Sequence, residues 1–205
     1  MTAPHGLEVR REKAGRLPIH GGATFPLGHR LRRAGFRLAW LLLCSWTPPP
    51  FAPLRRAVLR GFGARLAAGA DVRGSARLFD PRMLELGPGA LIAEAVECLN
   101  VSTVRLDAGA LVSRGAVLCT ASHAVDEPAF PITAAPITLG ARAWVCSGAF
   151  VGPGVRMGEG AVLGARGAAF RDLACWTVHG GNPALPLRRR ARHAAPASGR
   201  HDVGA

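Results

Sequence analysis

Aliphatic residues recur every six positions through most of the chain beyond residue 65. The longest uninterrupted run consists of Leu139, Val145, Val151, Met157, Leu163 and Ala169. Short side chains or glycine stand four positions after the first five of these, at Ala143, Ala149, Val155, Ala161 and Gly167. An amphipathic helix repeats its apolar positions every 3.6 residues or so and a half-buried strand every two, so the spacing fits neither. A fixed six-residue period indicates a repeat architecture.

Shorter stretches with the same spacing precede this run. They are Leu66 and Val72, then Leu86, Ile92 and Cys98, and then Leu106, Val112 and Leu118. A six-residue unit with one inward aliphatic and a small residue at the bend forms one flat side of a triangular coil, so three units make a turn of about 18 residues. Stacked turns pair as parallel strands and bury their aliphatics against one another. The sequence therefore predicts an all-β fold, a parallel β-helix of about five coils.

The residues before the coil follow a different pattern. An apolar run, Leu38–Trp46, comes directly after a basic stretch, His29–Arg37. The run begins too far along the chain for a signal peptide and is much shorter than the ~20 residues that a membrane-spanning helix needs. It predicts a helical segment that either packs over the end of the coil or lies on a membrane surface. We accordingly divide the chain into a basic N-terminal arm with this helical segment (1–65), the β-helix (66–187) and a short basic tail (188–205).

The positive charge of the chain lies at its two ends. The formal net charge is +13; residues 1–65 contribute +10, residues 66–187 contribute −1 and residues 188–205 contribute +4. A nucleic-acid-binding domain usually carries its positive stripe on the folded body with aromatic residues between, and this chain has no tyrosine. We therefore expect no nucleic-acid partner. The basic arm fits a peripheral contact with an anionic membrane, and the basic tail fits phosphate groups.

Five cysteines are distributed along the chain without Cys-x-x-Cys spacing: Cys44, Cys98, Cys119, Cys146 and Cys175. Because no histidine cluster of zinc-site spacing accompanies them, we expect no metal site and interpret the cysteines as small packing residues in a reducing cytoplasm. A metal-dependent hydratase on the same coil would need several histidines converging on one ion. Only His123 and His179 lie in the repeat region.

The six-residue repeat is interrupted between Leu118 and Ile137. The intervening residues, 119–136, leave the coil and return, and such breaks in a solenoid commonly carry function. His123 lies at the base of this excursion. By residue type alone, a histidine in a loop is equally consistent with a solvent-exposed side chain and with a general base.

Several short motifs carry more information than the repeat itself. They are WTPPP and LRGFGARL before the coil, CTASH and PAFPI in the excursion, and APITLGARAWV, GPGV, GEGAVLGA and GNPA after it. These motifs, over roughly residues 28–188, resemble those of the hexapeptide-repeat acyltransferases, in particular the acetyltransferases of colanic-acid-type exopolysaccharide clusters. The resemblance implies a left-handed β-helix, a homotrimer with active sites between subunits, and a cytoplasmic acetyl-CoA-dependent O-acetyltransferase. The acceptor that it implies is a sugar or a lipid-linked sugar.

The resemblance also implies roles for residues of the excursion. His123 matches a general base that accepts the proton of the acceptor hydroxyl, with direct transfer from the thioester and no acyl-enzyme. Ala124 stands where many relatives have an aspartate. Asp126, Glu127 or a backbone carbonyl is therefore expected to orient the imidazole, and the two acids are also candidate acceptor-binding residues.

Other candidate site residues lie on the coil and the tail. Asn100 matches an asparagine near the acceptor in sugar acetyltransferases, and is equally consistent with a ladder or turn residue at a coil corner. The positions that match the acetyl-CoA groove of the family are Ser147, Ala165, Phe170, Arg171 and Arg188. Phe170 and Arg171 replace a threonine-lysine pair, which keeps the positive charge and loses the hydroxyl. Arg188 either contacts the nucleotide phosphates of CoA or belongs to a solvated charged tail.

Two other functions are also consistent with the sequence. One is acetylation of serine or another small molecule by an enzyme of the same superfamily, and the other is a non-catalytic structural β-helix. A structural solenoid would need neither the histidine-bearing excursion nor the GNPA end. A serine acetyltransferase would carry a larger helical domain before its coil, so a sugar O-acetyltransferase is our principal expectation.

Overall fold

The computed structural model describes residues 25–128 and 130–192. The first part of the basic arm, residues 1–24, and the end of the basic tail, residues 193–205, lie outside this description. Two helices come first, α1 (Leu27–Leu43) and α2 (Ala52–Gly61). One 3-10 turn lies between them at Pro49–Phe51, and another lies in the first coil at Pro81–Met83. No helix of the described ranges has both the length and the apolar character that crossing a bilayer requires.

Short strands form three parallel sheets, one along each side of a triangular coil, and a separate antiparallel pair. Sheet A contains β1 (Arg65–Leu66), β4 (Leu84–Leu86), β7 (Val104–Leu106), β12 (Ile137–Leu139) and β15 (Arg156–Met157). Sheet B contains β2 (Asp71–Val72), β5 (Leu91–Ile92), β8 (Leu111–Val112), β13 (Trp144–Val145), β16 (Val162–Leu163), β18 (Thr177–Gly180) and the antiparallel edge strand β19 (Leu185–Arg189). Sheet C contains β3 (Arg77–Leu78), β6 (Glu97–Leu99), β9 (Val117–Cys119), β14 (Phe150–Val151) and β17 (Ala168–Ala169). The antiparallel pair is β10 (Ala121–His123) and β11 (Ile132–Ala134).

The predicted β-helix is confirmed, with a slightly higher coil count. Five coils contribute one strand to each sheet. A partial sixth coil follows, in which Leu173 forms a bridge with Met157 and β18 pairs with β16. The count is therefore about six coils where the sequence predicted about five. The sixth is partial because it has no strand in sheet C.

The length of a coil changes along the stack. In the C-terminal half, Leu139 lies beside Met157 in the register of sheet A, which is the predicted 18-residue turn. In the N-terminal half, Leu66 lies beside Leu86 and Leu86 beside Leu106, so each turn is two residues longer. The extra residues lie where the chain passes from sheet C to the sheet A strand of the next coil, which we call the C–A corner.

The core is built largely from the six-residue series predicted from the sequence, and Phe36, Trp40 and Leu59 of the helices extend it. The inward aliphatics of all five complete coils are buried, and so are the short residues at the bends. Each buried aliphatic contributes on the order of 1.5–3 kcal/mol. Left-handed backbone at the tight corners is supplied largely by glycines, for example Gly109, Gly115 and Gly148, because a Cβ is disfavoured there.

The two helices cover the first coil. Phe36 and Trp40 of α1 are buried, and the Trp40 indole donates a hydrogen bond to the Gly74 carbonyl at 2.8 Å. The end of α1 approaches Gly74 so closely that a Cβ there would collide with the carbonyl of Cys44. The fully buried Arg55 of α2 donates to both carboxylate oxygens of Asp71 and to the Pro48 carbonyl. Packing over the end of the coil, the first of the two roles predicted for this segment, is therefore confirmed.

Candidate active site

The excursion leaves the coil after β9 as a β-hairpin. Its strands β10 and β11 pair Ala121 with Ala134 and His123 with Ile132. The base of the hairpin is closed by a hydrogen bond from the Ala135 amide to the Thr120 carbonyl at 2.9 Å. His123 is thus carried on a strand, which restricts its backbone more than an irregular loop would.

The imidazole of His123 is held by Phe130 from the opposite side of the hairpin. The two rings stack with centroids 4.6 Å apart and planes 13° from parallel. The Nδ1 atom of His123 lies 2.9 Å from the Phe130 carbonyl oxygen. A carbonyl can only accept a hydrogen bond, so Nδ1 carries the proton and Nε2 of the neutral ring keeps a free lone pair.

The two acids of the excursion lie elsewhere. Asp126 and Glu127 are exposed at the tip of the hairpin, and the structure gives their carboxylates no hydrogen bond to the imidazole. The Glu127 carbonyl accepts from the Phe130 amide at 2.8 Å, which helps to place Phe130 over the ring. Of the three orienting groups expected from the sequence, the backbone carbonyl is the one that contacts His123.

A buried polar ladder runs along the C–A corner below the hairpin. It consists of Asp80, Asn100 and Thr120, one residue from each of the first three coils. Asn100 Oδ1 accepts from the Phe79 and Asp80 amides, and its Nδ2 donates to the Asp80 carbonyl at 2.6 Å. Thr120 Oγ1 donates to the Leu99 carbonyl at 2.9 Å. Asn100 therefore satisfies backbone groups of the lengthened corners, which is the corner role that the sequence left open.

The first member of this ladder is also an electrostatic anchor for α1. The Asp80 carboxylate lies 3.0 Å from Nε2 of His29 and accepts from the Arg82 guanidinium at 2.6 Å. Burial by itself favours the neutral acid, but the hydrogen bonds and charge of Arg82 together with the bond to His29 outweigh it and lower the pKa of Asp80.

The candidate acetyl-CoA residues of the coil lie at two different corners. Ser147 and Ala165 occupy neighbouring coils at the corner between sheets B and C, where the Arg166 amide donates to the Ser147 carbonyl at 3.1 Å. Phe170 and Arg171 lie at the C–A corner, the corner from which the hairpin leaves. Phe170 is exposed, and its ring lies 5.6 Å from that of Phe150 on the outer face of sheet C. Sheet C thus separates the two pairs.

Arg188 lies on the edge strand β19 and is exposed, and its guanidinium donates to the Arg189 carbonyl. Further along, Arg190 donates to the carbonyls of Arg142 and Gly160. The guanidinium carbons of Arg142, Arg190 and Arg192 lie 4.8, 5.8 and 5.2 Å from the ring centroid of Trp176. The contacts of this cluster with Trp176 and the role of Phe130 were not predicted, because both depend on contacts between distant or irregular segments.

Two cysteines of the coil, Cys98 and Cys146, have thiols that burial keeps protonated. Burial raises the pKa of Cys146, and burial together with the nearby Cys119 raises the pKa of Cys98 to about 12. The Cys119 thiol donates to the Ala121 carbonyl. Across residues 25–128 and 130–192, no group of three or more His, Cys, Asp or Glu side chains is arranged to hold a metal ion.

Known proteins resemble the chain in sequence and in fold. WcaF of Escherichia coli (strain K12), which is named for acetyltransferase activity in colanic acid biosynthesis, is 33% identical over 173 residues, covering 82% of this chain and 95% of WcaF. No family model matches the chain.

Two solved structures show the same fold. A maltose O-acetyltransferase from Clostridium difficile 630 superposes with a TM-score of 0.70 at 19% identity and covers 82% of this chain and 90% of its own. A hexapeptide-repeat acetyltransferase from Vibrio cholerae O1 biovar eltor, in complex with acetyl coenzyme A, superposes with a TM-score of 0.71 at 20% identity over 80% of this chain and 88% of its own.

Proposed function

This chain belongs to the family of hexapeptide-repeat acetyltransferases that includes WcaF, and on that premise we propose that it transfers the acetyl group of acetyl-CoA to a sugar hydroxyl in exopolysaccharide biosynthesis. The name of WcaF supports an exopolysaccharide acceptor. The acetyl coenzyme A bound to the Vibrio cholerae enzyme supports the donor, and the name of the Clostridium difficile enzyme, a maltose O-acetyltransferase, supports a sugar as the class of acceptor.

The observation that carries this proposal is the bond between Nδ1 of His123 and the Phe130 carbonyl. Because Nδ1 is protonated in that bond, Nε2 is the atom that can accept a proton. A sugar hydroxyl is a weak nucleophile until its proton is accepted, and an imidazole can do so near neutral pH. Stacking on Phe130 and attachment to a strand fix the direction of the lone pair, which reduces the entropy lost in reaching the reactive geometry.

In the proposed reaction, the acceptor oxygen attacks the thioester carbonyl while its proton passes to Nε2 of His123. The tetrahedral intermediate then collapses, the bond to sulfur breaks, and the proton passes from Nε2 to the leaving CoA thiolate. The products are an acetate ester of the sugar and free CoA. No cysteine is needed as a nucleophile, which agrees with the raised pKa values of Cys98 and Cys146.

We place the donor across sheet C, between the two corner pairs. Backbone groups at Ser147 and Ala165 would hold the pantetheine chain at one side of sheet C. Phe170 and Arg171 would lie at the other side, at the corner from which the hairpin leaves. The outer face of sheet C is apolar at Phe150 and Phe170, which suits an uncharged pantetheine arm. Arg188 would contact the phosphates of the nucleotide.

The proposed enzyme is a cytoplasmic homotrimer with its active sites between neighbouring subunits. The exposed apolar side chains around sheet C, among them Leu99 and Phe170, support a second subunit at this face. In such an assembly a neighbouring copy would complete the acceptor pocket, in which Asn100 acts by shaping the corner and Asp126 and Glu127 stay accessible to sugar hydroxyls.

The proposal is tested with His123→Ala. We expect kcat to fall by about 10²–10⁴-fold while acetyl-CoA still binds, because a general base is lost without a change in the donor site. Activity is followed as thiol release from acetyl-CoA with oligosaccharide repeat units of exopolysaccharides as acceptors, and binding by calorimetry with CoA.

The matched control is Ser122→Ala, which changes an exposed residue of the same strand. It should turn over at nearly the wild-type rate. Turnover by His123→Ala close to that of the control would overturn the assignment. Transfer to the hydroxyl of serine or of another small molecule in preference to every sugar tested would replace the sugar by that acceptor class.

A further inference from the structure

Helix α1 has a second apolar face that nothing in the described structure covers. Its exposed leucines are Leu27, Leu31, Leu38, Leu41 and Leu42, each between 59% and 66% exposed. Their spacing of four, seven, three and one residues places them on one side of an α-helix. The buried Phe36 and Trp40 lie on the opposite side, against the coil. The helix is therefore apolar on two sides, and only one of them serves the fold.

The exposed apolar surface continues beyond the end of the helix. Trp46 is 68% exposed, and its ring centroid lies 6.5 Å from that of the half-exposed Phe51. Leu54 at the start of α2 is also exposed. Leucines with aromatic rings at one end match the composition of helices that lie in a membrane interface, where indole rings are favoured at the level of the headgroups. We call the exposed leucines of α1 with Trp46, Phe51 and Leu54 the α1 face.

The α1 face is bordered by arginines without neighbouring acids. Residues 25–65 contain eight arginines and no Asp or Glu. By helical period, Arg30 and Arg37 lie along one border of the leucine stripe and Arg32 lies beyond the other. All three are exposed, and no carboxylate of the described residues forms an ion pair with them. Within the described residues, the surface therefore combines apolar area with positive charge that no carboxylate pairs.

We propose that the α1 face docks this protein on the surface of an anionic lipid bilayer. The leucines enter the boundary between headgroups and acyl chains, and Arg30, Arg32 and Arg37 contact the lipid phosphates. A second copy of this chain fits the face less well, because pairing two α1 faces would bring arginines of like charge together around the contact. The surface lies outside the active site, so this proposal goes beyond the acetyltransferase function and does not depend on it.

The test uses the full chain and two sets of vesicles, one of phosphatidylcholine alone and one of phosphatidylcholine with phosphatidylglycerol. In a flotation assay we expect the protein to rise with the anionic vesicles and to remain below with the neutral ones. Added salt should weaken the binding, since the electrostatic part is screened. Equal binding to both vesicle sets, or to neither, would overturn the proposal.

The apolar component is tested with Leu38→Ser/Leu42→Ser. We expect about 100-fold weaker binding to anionic vesicles, because two leucine side chains no longer leave water. The matched control is Leu185→Ser/Leu187→Ser, which changes two leucines of similar exposure on β19. The control should bind as the wild type does. Equal loss in both variants, or no loss in either, would contradict a contact through α1.

The charged component is tested with Arg30→Gln/Arg37→Gln, for which we expect about 30-fold weaker binding to anionic vesicles. Arg30→Lys/Arg37→Lys should restore the binding, because a surface potential responds to charge and not to guanidinium geometry. Sedimentation velocity without vesicles is compared for the wild type and the leucine variant. If the leucine change lowers the oligomeric state, the α1 face is a contact between copies and the membrane proposal is wrong.

Discussion

At the scale of single residues, one backbone carbonyl determines which nitrogen of His123 is available. The Phe130 carbonyl holds Nδ1 and leaves Nε2 free, so the carboxylate missing at Ala124 is replaced by main chain. A backbone carbonyl fixes the tautomer because it can only accept a hydrogen bond. Every residue has a main-chain carbonyl, so the residue type at position 130 does not predict this contact. The acids that the sequence offered as orienting groups, Asp126 and Glu127, are not the ones that make it. The place of His123 in the break of the repeat made it a candidate, and its expected role as a base came from the motifs that resemble those of the family.

Asn100 gives a residue-scale test of structural against acceptor-binding roles. Its buried amide satisfies two backbone amides and one carbonyl, so Asn100→Ala should lower the free energy of unfolding by about 2–4 kcal/mol. Thermal unfolding measures this loss. At a temperature where the variant is still folded, KM for the sugar should remain within about twofold of the wild type, because the Asn100 amide is already bound to backbone groups of the corner. A raised KM with unchanged thermal stability would assign Asn100 to the acceptor instead.

At the scale of elements, the C–A corner connects the helices to the hairpin. His29 of α1 binds Asp80, Asn100 binds the corner at Asp80, and Thr120 closes the base of the hairpin that carries His123. The corner of the first coil, which is two residues longer, supplies the Phe79 and Asp80 backbone groups that Asn100 binds. The six-residue period predicted the three sheets and the core, because side-chain burial sets that period. It could not predict the longer coils, since a corner is stabilised by specific hydrogen bonds and not by periodic burial.

The charge on Asp80 makes the attachment of α1 sensitive to acid. The pKa of Asp80 is lowered from the ordinary value of 3.8, so the folded state favours the ionised carboxylate more than the unfolded chain does. The resulting stability is fully present above pH 4 or so and is lost as the pH falls through the lowered pKa. Asp80→Asn should lower the free energy of unfolding at pH 7 by about 1–3 kcal/mol, which is seen as a lower melting temperature. The melting temperature of the variant should also fall less steeply than that of the wild type between about pH 5 and pH 3.

The control for this acid dependence is Asp107→Asn. Asp107 forms an exposed ion pair with Arg105, which contributes little to stability in water. Its melting temperature should stay near that of the wild type, and its decline in acid should keep the wild-type slope. If Asp80→Asn and the wild type lose stability over the same pH range with equal slopes, the ion pairs of Asp80 do not account for the acid sensitivity.

At the scale of the whole molecule, the positive charge is divided between two surfaces with different uses. The coil is nearly neutral because its nine arginines are balanced by ten acidic residues, whereas the α1 region and the C-terminal residues carry arginines in excess of acids. The structure separates the C-terminal arginines further. Arg190 is engaged by two carbonyls and lies beside Trp176, so it secures the end of the coil, while Arg188 is exposed on β19. Composition located the charge, but only the contacts distinguish an anchoring arginine from one that is accessible to a ligand.

This distinction leads to a prediction for donor binding. Arg188→Gln should raise KM for acetyl-CoA by about three- to tenfold at low ionic strength, because one charged contact to a phosphate is lost. The difference should shrink as salt is added, since screening weakens the wild-type contact as well. Arg156→Gln, which removes an exposed arginine of sheet A, serves as the control and should leave KM unchanged. A KM for Arg188→Gln that equals the control value at every ionic strength would assign Arg188 to a solvated tail, because an arginine that contacts phosphate cannot lose its charge without a salt-dependent cost.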